Sequence, residues 1–481
     1  MVRVRYAPSP TGHIHIGNAR SALFNYLFAR HNRGVMILRL DDTDRKRSTD
    51  EAIQSMIEDI KWLGIDWDEG YLKGGPYGPY RQTERMDIYN KYIDILLKEG
   101  KAYNLYYTEE EIKSIREEYA KQNKKFSYRE LKENETESRR NSFKQTHKNI
   151  LPAVVFKVKE NTEIIVNDIV RGKVSFNSNE LSDFVIRRDN GIPVYNYATV
   201  IDDALMKITH IIRAEEHLSN TPKQLLIYDA LNFPHPLFAH VSLILAPDRT
   251  KLSKRHGATS VGEYRNKGFL PEALINYLAL LGWSPKDNRE FFTKEELIAL
   301  FTLENVNKAP AVFDIEKLKW MNHHYIAKAN TERICKLSLP YLRQKGWVAD
   351  DRCTDKLLFL IETVKGNMNV IPDVADVSRP FFEEVGLPQN EKEKKILFQP
   401  ETKIVFRYVI ENIEKIPLEK EQLDNFLNGL KDTLSIPGKK IYHPLRIALY
   451  GSKNGPELSR IIMILGVKKT VKRLENVLKA I

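Results

Sequence analysis

Cysteine is nearly absent from this chain: Cys335 and Cys353 are two among 481 residues. That is too few for a disulfide framework and fits no zinc-ligand spacing, and a reducing cytoplasm suits such usage. Long apolar runs are missing too. None approaches the roughly 20 residues of a membrane span, and the first residues pass straight into Pro8-Ser9-Pro10-Thr11-Gly12 where an exported chain carries an apolar leader. The expectation is a soluble, unexported protein. There is no internal repeat and no low-complexity tract, which argues against a solenoid or a disordered tail.

What is present is length and positive charge. At 481 residues, 42% of them hydrophobic, roughly three to five domains with their own cores are expected. The net charge of +11 without a polybasic tail favours an anionic partner over a broad surface. An RNA fits, and a merely soluble basic protein fits the charge about as well.

Val4-Arg5-Tyr6 reads as a short strand, followed by a tight loop with two prolines and Gly12. A helix comes next, with Ala19, Leu23, Tyr26 and Leu27 at helical spacing. Gly17 and Asn18 fall in its first turn, where unpaired N–H groups and the positive dipole end suit phosphate, with His15 beside them as a further donor. Alone, a histidine at a helix start is more often a cap or a surface residue. Val35 to Leu40 is an apolar run ending in acidic residues, the pattern of a strand buried on both faces. With the preceding helix it makes a βαβ unit, which favours a doubly wound parallel sheet with ligands outside the carboxyl ends of its strands.

Residues 51–63 and 84–98 read as flanking helices. From Tyr103 to Lys148 the chain is strongly charged, and short strand-like pieces run from Val154 to Val185, so 101–190 reads as an insertion between two halves of a nucleotide fold. The sheet is expected to resume with 193–200 and 208–213. Lys251-Leu252-Ser253-Lys254-Arg255 then sets two ammonium groups on one loop, suited to the charge on a departing pyrophosphate. By itself such a string is a solvated basic turn. Pro271 to Leu281 reads as a helix ended by Gly282, and from about 323 the composition is helical to the end, with Gly466 as a stop before the last amphipathic helix.

His15-Ile16-Gly17-Asn18 and Lys251 to Arg255 resemble the HIGH and KMSKS signatures of class I aminoacyl-tRNA synthetases. Each departs in its last letter: Asn18 replaces a second histidine that glutamate-specific members usually lack, and Arg255 keeps a polar terminus. Arg5 to Gly12, Leu38 to Asp44, Gly78 to Arg85 and Ile212 to His217, in that order, look like the bacterial-type glutamyl-tRNA synthetase family. The resemblance continues through Val312-Phe313-Asp314, Trp320 to Tyr325 and Pro444 to Leu449, so it covers essentially the whole chain. It implies an α/β fold: a doubly wound parallel, Rossmann-like nucleotide-binding domain with an α+β insertion, followed by all-α C-terminal anticodon-binding domains. The implied division is 1–100 and 191–255 for the catalytic halves, 101–190 for the acceptor-end insertion, 256–322 for a stem-contact domain and 323–481 for the anticodon-binding region.

The resemblance implies ATP-dependent ligation of L-glutamate to the 3′ end of tRNA(Glu) through a glutamyl-adenylate, by a monomeric cytoplasmic enzyme. Three rivals stand beside it. A different adenylyl-transferring enzyme with the same nucleotide fold needs neither a tRNA-sized insertion nor a long helical C-terminal region. A glutamate-activating tRNA-modifying paralogue lacks the C-terminal helical domain, and a catalytically idle tRNA-binding relative gives no reason for both motifs to be intact. His15, Lys251 and Lys254 are the implied catalytic groups, and ATP falls to Thr11, Gly12, His15, Gly17, Glu216, His217, Lys251, Ser253 and Lys254. Glutamate falls to Arg5, Ala7, Ser9, Asp41, Tyr195, Thr199 and Arg213, where guanidinium forks take carboxylates bidentately.

Asp41 stands where the family usually has glutamate, one methylene longer. The backbone moves inward, a water bridges, or Asp41 is not the amine's only partner. Asp42 and Asp44 read as structural, pairing with Arg39 or Arg45. Mg²⁺ is expected with ATP, and no zinc, because Ala102 to Thr108 holds no cysteine where relatives carry a zinc knuckle, and His147 alone makes no site. The arginine with which relatives reject tRNA(Gln) falls within Lys365 to Asn369, where no arginine occurs. Charging of tRNA(Gln) as well is therefore expected unless Lys365 or Arg379 substitutes.

Overall fold

The computed structural model describes residues 1–10, 12–43 and 48–481, with Lys254 described by its backbone alone. The described chain divides into two compact units, one of residues 1–264 and 274–314, the other of residues 265–273 and 315–481.

In the first unit, β1 (Arg3–Tyr6), α1 (Ile16–His31), β2 (Val35–Leu38), α2 (Asp50–Trp62) and β3 (Glu69–Gly70) form a parallel sheet in the order β1-β2-β3 with its helices. Gly70 has φ +120°, and a Cβ there would sit 2.1 Å from the Leu38 carbonyl oxygen, so only glycine closes this edge. α1 is buried on nearly every side. It lies under residues 274–314: the Phe24 and Phe301 rings are 5.0 Å apart, and Arg20 donates to the Leu281 carbonyl at 2.7 Å. This packing explains why 274–314 joins the nucleotide fold instead of a separate 256–322 domain, while 265–273 joins the second unit.

After α3 (Met86–Lys98), β4 (Ala102–Leu105) begins the insertion, followed by α4 (Glu109–Lys121), α5 (Tyr128–Glu133), α6 (Glu137–Thr146) and β5 (Ala153–Phe156). The 101–190 segment does not stay together. β6 (Glu163–Asp168) and β7 (Gly172–Asn177) form a hairpin that joins another sheet, while β8 (Phe184–Arg187) returns to pair antiparallel with β5. The hairpin extends the nucleotide fold, because Asp168 is bound at the start of the central strand that follows.

Residues 195–205 are the helix α7 (Tyr195–Leu205), where a strand was expected. Tyrosine and β-branched residues favour strands as isolated residues, but here Tyr197, Ala198, Ile201 and Ala204 bury one helical face. β9 (His210–Ala214), α8 (Thr221–Ala230) and β10 (Leu237–Val241) complete a sheet ordered β7-β6-β10-β9, in which β10 pairs parallel with both neighbours. Thr209 N donates to the Arg3 carbonyl at 2.9 Å, which joins this sheet to β1.

The second unit is helical, from Ile315–Lys328 to Leu458–Ala480. Gly466, at φ 74° and ψ 163°, leaves the helical conformation and separates the last amphipathic helix from the one before it, the stop expected there. Its core takes Leu270 and Ala273 together with Ile334, Leu360, Phe406, Leu445 and Ile461. Cys335 and Cys353, too few for a framework, nevertheless form one disulfide, with Cα atoms 6.2 Å apart. Among the described residues no helix is long and apolar enough to cross a membrane.

Candidate active site

α1 begins on His15, whose Nδ1 accepts from Gly17 N at 3.1 Å. An accepting Nδ1 leaves the proton on Nε2, so the ring caps the helix with one nitrogen and donates with the other. Burial first, and Lys251 nearby second, lower its pKa, which keeps the ring neutral. Ile16 N donates to the Thr259 carbonyl at 2.8 Å and Val261 N to Ile14 at 2.9 Å, which lays the loop after Lys251 along the start of α1. Between them is a cavity of about 400 Å³ lined by His15, Gly17, Asn18, Glu216, Lys251 and Ser253, among others, a size that suits a nucleotide. A Cβ on Gly17 would meet only the His15 ring within 4 Å, so its α-carbon leaves the cavity open.

Lys251 Nζ donates to Glu216 at 2.6 Å across this cavity, and both side chains are about half exposed. The loop is pinned internally by His256, a residue the sequence did not single out: Nδ1 lies 3.2 Å from Ser253 N, and Nε2 lies 3.3 Å from Asp248. Thr11 and the Lys254 side chain lie outside the described residues. Gly12 takes φ +112°, a glycine conformation, and is not among the cavity's lining residues.

A second cluster lies at the carboxyl ends of β1 and β9. Arg213, 6% exposed, donates through Nη2 to Thr221 Oγ1 and Gln224 Oε1, both at 2.8 Å, and its Nη1 lies 3.5 Å from Tyr195 Oη. Burial, the larger effect, and the nearby Arg5 both lower its pKa. No carboxylate among the described residues pairs with it. Arg5, also buried, spends only Nε on a protein partner, Asp203, at 3.1 Å. Its two Nη groups have no hydrogen-bond partner among the described residues. Two buried guanidinium groups with open N–H therefore lie close enough to feel each other's charge, an arrangement that would hold an anion strongly.

Arg39 organises the floor beneath them. It donates to Asp41 at 2.8 Å, Asp203 at 2.6 Å and Thr199 Oγ1 at 3.1 Å. Arg39 therefore pairs with Asp41, whereas Asp42, expected to use Arg39 or Arg45, takes Arg81 Nε at 2.5 Å and Thr83 N at 2.9 Å. Asp44 and Arg45 lie outside the described residues. Asp41 N donates to the Pro8 carbonyl at 3.0 Å, which brings the segment of Ala7 and Ser9 against the Asp41 backbone. Tyr195 and Thr199, four apart on α7, share its face. His217, expected at the nucleotide, is absent from that cavity's lining; its ring lies 5.7 Å from Tyr195. Burial, reinforced by Arg213, pushes its pKa down to about 4.

Beside Ala102 to Thr108 stands a buried carboxylate, Glu135. Glu135 accepts from Tyr106 N at 2.8 Å, Lys132 Nζ at 2.6 Å and Arg140 Nε at 2.8 Å. Among the described residues no group of three or more His, Cys, Asp or Glu side chains could hold a metal ion.

Residues 1–320 match the family model for the catalytic domain of class I tRNA synthetases (E and Q), and residues 316–478 match an anticodon binding domain. The parallel nucleotide sheet, with a histidine at a helix start facing a lysine-bearing loop, is that of a class I synthetase. The chain is 47% identical to the glutamate–tRNA ligase of Carboxydothermus hydrogenoformans over 99% of both chains. It is 46% identical to glutamate–tRNA ligase 1 of Caldicellulosiruptor saccharolyticus over 98% of each. The crystal structure of a glutamate tRNA ligase from Elizabethkingia meningosepticum, in complex with its amino acid, superposes with a TM-score of 0.86 at 36% identity, covering 99% of each chain. The chain belongs to the glutamate–tRNA ligase family.

Proposed function

We propose that this protein activates L-glutamate with ATP and transfers it to the 3′-terminal adenosine of tRNA(Glu). The observation that carries this reading is Arg213: a buried guanidinium without a carboxylate partner among the described residues, in the field of Arg5 and one residue before Ala214, which lines the nucleotide cavity. Arg213 and the open Nη groups of Arg5 take glutamate's carboxylates, while Asp41, Ala7, Ser9, Tyr195 and Thr199 border the amine and side chain. In the cavity Gly17 and the Nε2–H of His15 receive the phosphates of ATP, which enters with Mg²⁺.

The α-carboxylate oxygen attacks the α-phosphorus, and the bond from that phosphorus to the bridging oxygen breaks, releasing pyrophosphate. Lys251 leaves Glu216 for the charge on that leaving group, with Lys254 on the same loop. The ribose hydroxyl of the tRNA then attacks the acyl carbon and displaces AMP, its proton passing to the released phosphate. No enzyme nucleophile is needed, so positioning and charge carry the chemistry.

The enzyme works without zinc, as a monomer in the cytoplasm, the Glu135 cluster taking the knuckle's place. It also charges tRNA(Gln). Supporting this, Lys365 is buried and committed to the Ala329 carbonyl at 3.0 Å, Thr331 at 3.1 Å and Glu362 at 2.7 Å, and so offers no cation to an anticodon base.

ATP–pyrophosphate exchange with glutamate, run with and without tRNA, tests the activity. Exchange driven by another amino acid, or none in either condition, refutes it.

A further inference from the structure

We propose that His240 and Asp168 are positioning residues for glutamate recognition, forming a buried Asp168–His240–Arg213 relay that fixes the direction of the Arg213 guanidinium. The inference rests on the reading of Arg213 as a carboxylate ligand. His240 lies on β10 and Asp168 ends β6, and both side chains are fully buried. His240 Nδ1 is 2.6 Å from Asp168 Oδ2, and His240 Nε2 is 3.1 Å from Arg213 Nε and 3.2 Å from Thr221 Oγ1.

The proton positions follow from the partners. Asp168 Oδ1 takes the N–H groups of Val170 at 2.9 Å and Arg171 at 2.8 Å, and Oδ2 takes His240 N at 3.1 Å. Burial alone would raise the pKa of this carboxyl, but the His240 bond and the Arg171 N–H outweigh it and hold the group ionised. A carboxylate only accepts, so His240 Nδ1 carries the hydrogen. Burial lowers the pKa of His240 in spite of Asp168, so the ring is neutral and Nε2 bare. That lone pair is what Arg213 Nε–H requires. With Nε held by His240 and Nη2 by Thr221 and Gln224, Nη1 is left facing Tyr195 and the pocket.

The relay gives the 163–177 hairpin a task. Its register with β10 is the pair Phe238 and Asp168, two residues from His240, so the hairpin brings the anchoring carboxylate to the strand that carries the histidine. An arginine held in one direction loses less freedom when a carboxylate arrives.

The test is steady-state glutamylation of tRNA(Glu) with glutamate and ATP varied separately. In Asp168→Asn, the Val170 and Arg171 N–H groups keep the amide oxygen at Oδ1, which turns the NH₂ toward Nδ1. The ring proton then moves to Nε2 and opposes Arg213 Nε–H, the tautomer reversal known for other buried Asp–His pairs. The glutamate KM is expected to rise about tenfold or more, with the ATP KM unchanged. His240→Leu should act likewise, and His240→Gln, which can set an amide oxygen near the Nε2 position, should recover most of the loss.

Glutamate and ATP KM values rising together, or a His240→Gln variant no better than His240→Leu, would show a merely structural role and overturn the relay. If Asp168→Asn does not fold, the comparison of the two His240 variants decides. Arg213→Gln separates the two readings. A glutamate KM unchanged by Arg213→Gln removes Arg213 from the site, whereas a raised one with Asp168→Asn at wild-type values refutes the relay alone.

Discussion

Asp41 turns its carboxylate back onto Arg39, two residues earlier, whose Nε donates to it at 2.8 Å. The Asp41 carboxylate is thus shared with a neighbouring guanidinium and is not held free for an amine alone. Both members are buried, and their electrostatics have a measurable consequence.

Burial outweighs Arg39 and pushes the pKa of Asp41 up to about 6 from an ordinary 3.8. In the window between those values the folded protein holds a proton that the unfolded chain has released. Stability from this group is therefore full below the lower value and is lost as pH rises through the upper one. Chemical denaturation of wild type and Asp41→Asn at several pH values should show wild type losing ground as pH rises through this window, with no further change above it. A difference independent of pH would mean an ordinary carboxyl.

Lys251 tests the separation of chemistry from stability. Its exposed pair with Glu216 contributes little to folding, while a cation on leaving pyrophosphate acts only in the transition state. Lys251→Ala should lower kcat for glutamylation about 100-fold and leave the melting temperature in place. A kcat within threefold of wild type would remove it from the phosphate site.

Glu135 should behave as a metal-free clamp. Glu135→Ala leaves two cations and the Tyr106 N–H without their shared acceptor, a loss on the order of 2 kcal/mol. Elemental analysis should find far less than one zinc per chain, and chelator should leave the melting curve unmoved. Stoichiometric zinc would contradict this.

Acceptor choice is the fourth expectation. Purified tRNA(Glu) and tRNA(Gln) should be glutamylated with kcat/KM values within a hundredfold of one another, since the Lys365 ammonium is already occupied. A larger gap, beyond about 3 kcal/mol, would point to another discriminating contact, with the exposed Arg379 as the first to substitute.

The local features were legible in sequence, and the reason is range. His15 at the start of α1, the apolar run of β2 and the stop at Gly466 each follow from residues within a turn or two. The segment of Tyr195 and Thr199 reads as a strand in sequence, because tyrosines and β-branched residues mimic one until tertiary burial selects the helix. The supporting pairs left no trace. Arg39 and Asp203 are 164 residues apart, and Asp168 and His240 are 72 apart; nothing in the local pattern of either partner announces the other. The Glu135 cluster is partly local, since Lys132 and Arg140 lie three and five residues away, and only its tie to Tyr106 N, 29 residues back, is of the distant kind.

Residues 265–273 pack with a unit whose remainder begins fifty residues later. The helical half is therefore not a detachable C-terminal module. A fragment beginning at Ile315 would lack Leu270 and Ala273 from its core, the Leu270 N–H that Asn322 accepts at 2.8 Å, and the Gly268 carbonyl that receives Ile371 N at 3.0 Å. Because the peptide passes between the halves three times, no single cut separates them. Recombination or truncation at one point leaves a hole on one side and an orphaned strap on the other.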